Sequence, residues 1–324
     1  MTVVITGGTG VVGGAVLQRL VGSEDEVRAL VRSRRGAARV AARGAVPVVG
    51  EVESLPSLVE AFHGADVVYH VAGRNELCPT DPSVLYRVNV DGSRNVVRAA
   101  RVAGVRRLVY TSSAATIGEP RGTVGTEDTP HRGYHLSHYE RSKYLAEQVV
   151  FAEADDLEVV VVNPSSVQGP GRGSGTGRLL INVLAGRLPV LVDTWISIVD
   201  IDDCADGHLR AAAQGRPGER YLLNSFTLRV ADALSLAEIV AGLDLRVRFL
   251  PGWVARVGAS AVEAVARATG RRPPVCREMV RTMVHGHRYD GSKAERELGL
   301  RYHTPEETLG RLIAWAREER LLPS

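Results

Sequence analysis

The sequence predicts an α/β fold with a doubly wound parallel sheet, followed by a smaller, mostly helical region. Three observations predict it. Short β-branched runs alternate with segments of helical period through the first half of the chain. Several of those runs are apolar without a break, as in VVVVN (159–163), which suits strands covered on both faces. A glycine-rich turn, with Gly7, Gly10 and Gly13, stands at the first strand–helix junction.

Each element has its own justification. The expected strands are Val3–Thr6, Glu26–Val31, Val46–Val49, Asp66–His70, Arg107–Thr111 and Glu158–Asn163. Between them, Val11–Val21, Leu55–Phe62, Val84–Ala103 and Tyr139–Ala154 repeat their apolar residues with helical period. Strand, helix, strand in repetition demands right-handed crossovers and hence a parallel sheet. After Pro164 the composition changes. The stretch 163–178 is rich in Gly, Ser and Pro and is expected to be a loop at the carboxyl end of a strand, where such sheets bind ligands. Residues 1–165 therefore read as a dinucleotide-binding domain, and 166–324 as mainly a substrate-binding region. Short strands at Ile196–Val199 and Arg220–Leu223 flank a helix over Asp202–Ala213 and are expected to join the first domain. Val247–Leu250 reads as a strand, and Pro251–Ala268 and Pro274–Val284 as helices. A last helix opens at Thr-Pro, 304–305.

The glycine turn has a chemical reading. Its glycines permit a tight turn, close approach of backbone to a pyrophosphate, and close contact between helix and sheet. The helix N-terminus adds free N–H donors and a positive dipole end. The residue ending the second strand then selects the dinucleotide: an acid suits the ribose 2′-hydroxyl of NAD, a base the 2′-phosphate of NADP. The stretch EVRALVRSRRGAAR (26–39) has no acid after Glu26 and offers Arg32, Arg34, Arg35 and Arg39. Arginine forks match phosphate oxygens. NADP(H) is expected over NAD(H), with Arg32 as the principal contact.

A second motif supplies chemistry. In SHYERSKYLAE (137–147), Tyr139 and Lys143 stand four apart on a helix, hence on one face. An ammonium beside a phenol favours the phenolate, so the pair can act as general acid or base between an alcohol and a ketone. RRLVYTSSAATIG (106–118) ends a strand with Thr111, Ser112 and Ser113, and a serine hydroxyl there can bind a reacting oxygen. Asn89 lies on the preceding crossover helix.

These pieces together resemble the extended short-chain dehydrogenase/reductase superfamily, also described as NAD-dependent epimerases/dehydratases. The matching stretches are TGGTGVVG (6–13), HVAG (70–73), NVDGSRNV (89–96), YTSSAATIG (110–118), YERSK (139–143) and NPSSVQGPG (163–171). Within it the chain is similar to dihydroflavonol reductase-like proteins and to the hopanoid-associated sugar epimerase-like group. The resemblance covers essentially the whole chain and implies a Rossmann fold. It implies Tyr139 as proton donor or acceptor, Lys143 as its activator and holder of the nicotinamide ribose, Ser113 on the substrate oxygen, and Asn89 in support. It places Gly7, Thr9, Gly10, Val11, Val12 and Gly13 at the pyrophosphate, with Arg32 and Arg35 at the phosphorylated ribose. Glu51 and Val52 fall near the adenine, where the family has Gly-Asp-Leu and this chain Gly50-Glu51-Val52. Val71, Ala72 and Gly73 fall beside the adenosine ribose, and Thr111, Pro164 and Val167 toward the nicotinamide. The implied activity is NADP(H)-dependent reduction of a ketone or aldehyde, or the reverse oxidation. A nucleotide-sugar epimerase or dehydratase with tightly bound NAD(P) is the alternative, and a non-catalytic NADP-binding sensor a third class. A homodimer is a family expectation.

Composition bounds the rest. The chain has 324 residues, 44% of them hydrophobic, with 40 basic and 37 acidic residues and a net charge of +3. That balance calls for neither nucleic acid nor an anionic membrane as partner, and a small-molecule substrate is expected. Three cysteines, far apart and without a CxxC pair, suggest free thiols in a reducing, cytoplasmic setting. No signal peptide and no membrane-spanning run is read. His131, His135 and His138 read as loop or substrate-contacting histidines, with no metal expected. Arg172, Arg178 and Trp195 are candidates for lining a substrate pocket. The amphipathic stretch 253–268 reads as packing or a dimer contact.

Overall fold

A computed structural model describes every residue except 24, 174, 270, 272, 274, 323 and 324. In chain order its strands and helices are β1 Thr2–Thr6, α1 Val11–Leu20, β2 Glu26–Val31, α2 Arg34–Ala41, β3 Val46–Val49, α3 Leu55–Phe62, β4 Val67–His70, α4 Ser83–Tyr86, α5 Gly92–Val102 and β5 Arg107–Thr111. There follow α6 His138–Ala152, β6 Glu158–Pro164, β7 Ser166–Gln168, α7 Gly175–Leu184, β8 Val190–Leu191, β9 Trp195–Asp200, α8 Ile201–Gln214, β10 Arg220–Leu223 and β11 Phe226–Arg229. The chain ends with α9 Val230–Ala241, β12 Arg248–Phe249, α10 Gly252–Ala268, α11 Arg277–His285, α12 Ser292–Leu298 and α13 Pro305–Glu318.

The main sheet has seven strands in the order β3-β2-β1-β4-β5-β6-β10, all parallel. Alternation along each strand makes two cores. Val3 and Ile5 point to the face covered by α1 and α8, with Val16, Leu17 and Ala205. Val4 points to the other face, with Leu58, Phe62, Val96, Leu108 and Ala146. Because both faces are covered, the central strands are apolar throughout. The order reverses between β1 and β4, so the carboxyl ends of those strands open a cleft.

The doubly wound sheet is as the sequence predicts, with differences outside it. Arg220–Leu223 joins the main sheet, but Trp195–Asp200 does not: β9 pairs with β7 and β11 in a separate three-stranded sheet. The strand expected at Val247–Leu250 shrinks to Arg248–Phe249, paired with Val190–Leu191. The start of the expected Pro274–Val284 helix lies outside the described residues, and α11 begins at Arg277. The helix expected over Val84–Ala103 is interrupted by a wide, π-type turn at Arg87–Asp91, which carries Asn89. Helix α2, within the stretch read only as basic, is capped by Ser33 accepting from the Gly36 N–H. At α13, Thr304 and Glu307 close a capping box.

The expectation of three free thiols fails. Cys78 and Cys276 form a disulfide across 198 residues, with their Cα atoms 6.0 Å apart, and Cys204 is free and buried. Sequence separation gave no hint, because α11 folds back onto the segment after β4. The reading of a reducing compartment loses its support with it. No helix among the described residues is long and apolar enough to cross a membrane.

Candidate active site

The glycine turn is shaped by contacts only glycine allows. Gly7 has φ of +79°, and a Cβ there would lie 2.6 Å from the Ala72 backbone nitrogen. A Cβ on Gly13 would lie 2.2 Å from the Gly7 carbonyl oxygen, and one on Gly10 3.2 Å from the same oxygen. Gly10 is the N-cap of α1 and supplies no side-chain cap, and the first turn holds no acid. The first N–H groups of α1, from Val11 and Val12, are thus left without helical partners. Thr9 faces Gly36 at the start of α2. Across the cleft, Val71 and Ala72 donate their N–H groups to the Thr6 carbonyl and hydroxyl, both at 3.2 Å.

Arg32 and Arg35 are exposed at the end of β2 and the start of α2, and neither pairs with a described carboxylate. Glu51 is exposed, its N–H bonded to the Ser57 hydroxyl at 3.2 Å. Val52 packs on Gly92, where a Cβ would approach to 3.0 Å.

The catalytic candidates gather on the other half of the cleft. Ser137 caps α6, accepting from the Glu140 N–H at 3.0 Å. One turn on, Tyr139 is half-buried and Lys143 is buried. The Lys143 ammonium donates to the Thr111 carbonyl at 2.8 Å and to the Tyr110 hydroxyl at 3.1 Å. Burial pulls its pKa below the ordinary lysine range, while Tyr139 and Glu147 act to hold the charge. Asn89 donates to Ser142 on α6 at 2.9 Å and, with its carbonyl, accepts from the Arg74 N–H at 2.7 Å. A Cβ on Gly73 would lie 3.4 Å from that Asn89 carbonyl and 3.9 Å from the Lys143 nitrogen.

Lys143 is thus bonded directly to Thr111, and Asn89 reaches α6 beside it through Ser142, with Gly73 close to both. Ser113 is half-buried and caps a short 3-10 turn over Ala114–Ile117, its hydroxyl accepting from the Ala115 N–H at 3.3 Å. Buried Ser112 has a hydroxyl without a partner among the described residues. The Thr111 hydroxyl turns away, to His208 on α8 at 2.8 Å, leaving only its carbonyl at the site. Pro164 ends β6 and Val167 lies on β7, both buried.

Arg172 follows β7 and donates to the Val167 carbonyl at 3.1 Å. It makes no ion pair with a described carboxylate; the anionic forms of Tyr139 and Cys204 are the charges that reach it. Burial lowers its pKa. The three histidines part company. His131 and His135 pack as tilted rings with centroids 4.9 Å apart, near Tyr144 and Glu140. His138 pairs instead with the Tyr86 hydroxyl at 3.0 Å.

Sequence reasoning missed Glu278. Its carboxylate accepts from the Cys78 N–H at 3.0 Å and from the N–H of His138, beside Tyr139. Arg281, one turn on, donates to the Leu136 carbonyl at 2.8 Å. Helix α11 therefore braces the entry to α6, a contact that no local pattern announces.

The profile of the NAD dependent epimerase/dehydratase family matches residues 3–223. A Synechocystis protein provisionally named a dihydroflavonol 4-reductase is 32% identical over 96% of this chain and 93% of its own length. The 4-hydroxy-2-methyl-3-oxo-4-farnesyl-3,4-dihydroquinoline-1-oxide ketoreductase of Stigmatella aurantiaca is 30% identical over 92% of this chain and 91% of its own. The crystal structure of gox2253 superposes with a TM-score of 0.86, at 30% identity, covering 99% of both chains.

Proposed function

Because the chain belongs to the NAD dependent epimerase/dehydratase family, we propose that it is an NADP(H)-dependent reductase of a ketone or aldehyde on a small-molecule metabolite. The observation that carries this reading is the α6 pair: half-buried Tyr139 one turn from a buried ammonium that β5 holds by two hydrogen bonds. The similarity to a ketoreductase and to a dihydroflavonol reductase-named protein supports reduction over epimerisation.

The cleft fits a dinucleotide, since a Cβ at Gly7 or Gly13 would overlap backbone that the turn needs. Gly7, Thr9, Gly10, Gly13 and the N–H groups of Val11 and Val12 would hold the pyrophosphate. Ala72 and Gly73 would face the adenosine ribose, Pro164 and Val167 the nicotinamide, and Glu51 and Val52 the adenine side. Arg32 and Arg35, exposed and without acidic partners, would take a 2′-phosphate. When bound, the nicotinamide supplies or accepts the hydride.

The protein's own part is proton transfer and orientation. In reduction the carbonyl oxygen gains charge. Ser113 donates a hydrogen bond to it, Tyr139 delivers the proton, and the Lys143 ammonium steadies the phenolate that remains. Asn89 bridges the Arg74 backbone to Ser142 and so keeps the Gly73 segment against α6. Arg172 is suited to an anionic group of substrate or cofactor near Tyr139.

The test is a panel of carbonyl compounds with NADPH, followed by loss of nicotinamide absorbance. Tyr139→Phe should lower kcat by about 10²–10⁴-fold. Full turnover by that variant would overturn the mechanism. Stoichiometric NAD⁺ released on denaturing the purified protein would overturn the reductase in favour of an epimerase.

A further inference from the structure

We propose that Tyr110 is a positioning residue for Lys143, and that a buried hydrogen-bond chain through Ser93, His70 and Thr6 holds it in that role. The inference rests on the part given to Lys143 above. An ammonium has three N–H groups, and Lys143 places two of them on neighbouring residues of β5, the Tyr110 hydroxyl and the Thr111 carbonyl. One is left for the cleft. The direction of that last donor depends on Tyr110 presenting a lone pair and not a proton.

The surrounding contacts show which groups accept. The Ser93 hydroxyl lies 2.6 Å from the Asn89 carbonyl, 3.3 Å from His70 Nε2 and 3.4 Å from the Tyr110 hydroxyl. It has a single proton, and the Asn89 carbonyl is its nearest partner and can only accept. Toward Tyr110 the geometry fits Ser93 as the donor, so the same proton makes a longer second contact there, at 3.4 Å. With that proton committed, His70 Nε2 must donate to Ser93, and Tyr110 accepts from both Ser93 and Lys143. His70 Nδ1 is then an acceptor, and the Thr6 hydroxyl lies 2.7 Å from it. Thr6 in turn accepts from the Ala72 N–H at 3.2 Å. The network carries no charge other than Lys143, and it turns a lone pair of Tyr110 toward the ammonium.

The assignment needs a neutral His70. Complete burial, and the Lys143 charge after it, push its pKa down to about 3. The groups facing Lys143 are Tyr139 and Glu147 from α6, Tyr110 from β5 and neutral His70 from β4. The Tyr110 ring is fully buried and its centroid lies 4.8 Å from the ammonium. The chain thus joins β1, at the foot of the glycine turn, to the lysine on α6.

The test is Tyr110→Phe, which keeps the ring and removes the acceptor. With NADPH and a carbonyl substrate, kcat should fall roughly tenfold with KM within about twofold. The alkaline limb of the kcat profile should move to lower pH, because a buried ammonium with one acceptor fewer surrenders its proton more readily. In a Lys143→Ala background, Tyr110→Phe should change turnover by less than about twofold, since it acts only through the lysine. Ser93→Ala, which leaves Tyr110 in place but frees its hydroxyl, should shift the limb the same way by less, and serves if Tyr110→Phe folds poorly. Parental kcat and an unmoved limb in both variants would overturn the proposal. So would a further tenfold loss on top of Lys143→Ala. Full turnover by Lys143→Ala alone would instead overturn the reading of the site, and with it the role of Tyr110.

Discussion

Gly13 stands so close to Gly7 that a Cβ on it would lie 2.2 Å from the Gly7 carbonyl oxygen. The first turn of α1 is therefore seated directly on the loop that precedes it. Gly10 touches the same oxygen, but a Cβ there would stop at 3.2 Å. The two positions should respond differently to one methyl group. Gly13→Ala must move backbone, and should lower the melting temperature and weaken NADPH binding at least tenfold. Gly10→Ala should keep its stability and lose less affinity. Overpacking of this kind costs about 1–3 kcal/mol. Thermal melts with NADPH titrations of both variants check the order, and equal effects would contradict it.

The proposed preference for NADP(H) rests on Arg32 and Arg35. Neither is committed to a described carboxylate, so removing either leaves no buried partner unpaired. Arg32→Ala should raise the NADPH dissociation constant by roughly tenfold or more, as for loss of a charge-assisted contact. NADH affinity should change less than twofold. Parallel fluorescence titrations with the two cofactors give the ratio. An unchanged ratio would remove the phosphate from this position.

Two buried histidines make the fold sensitive to acid. Burial pushes the pKa of His70 down to about 3 and that of His208 to about 4. Unfolded, each would titrate near the ordinary histidine value of about 6.5. Below that pH the unfolded chain takes up protons that the folded one refuses. Their contribution is thus fully present above about 6.5 and is lost as pH falls toward 4, at up to ~1.4 kcal/mol per pH unit for each histidine. Urea midpoints measured between pH 7 and 4.5 should fall accordingly. His208→Gln, which can keep a bond to Thr111, should flatten the slope.

The sheet was legible because its strands obey a one-dimensional rule: buried on both faces, they are apolar without a break, as Val159–Val162 are. Tyr139 and Lys143 were legible because helical spacing alone puts them on one face. Thr111 shows where that reasoning stops. Alternation along β5 turns the Thr111 hydroxyl toward His208 and gives Lys143 the neighbouring Tyr110 hydroxyl. The direction of each face depends on which helix covers it, and no stretch of β5 states that. Glu278 is further out of reach. It meets the start of α6 across 140 residues, through a helix whose docking depends on the rest of the C-terminal region.

The disulfide is the sharpest case, and it can be counted. Cys78 and Cys276 are paired and Cys204 is buried and free. In denaturant without reductant, a thiol reagent should therefore find one thiol per chain, and three after reduction. The bond closes a loop of 198 residues, for which the chain-entropy account gives about 5 kcal/mol at most. It ties the segment after β4 to α11, whose Glu278 also holds the first N–H of α6. Reduction, or Cys78→Ser with Cys276→Ser, should lower the melting temperature by several degrees. It should raise KM more than it lowers kcat, because Lys143 is held by β5 and not by α11. Three reactive thiols in the unreduced protein would show the pair to be open, and a melting temperature indifferent to reductant would deny it a structural role.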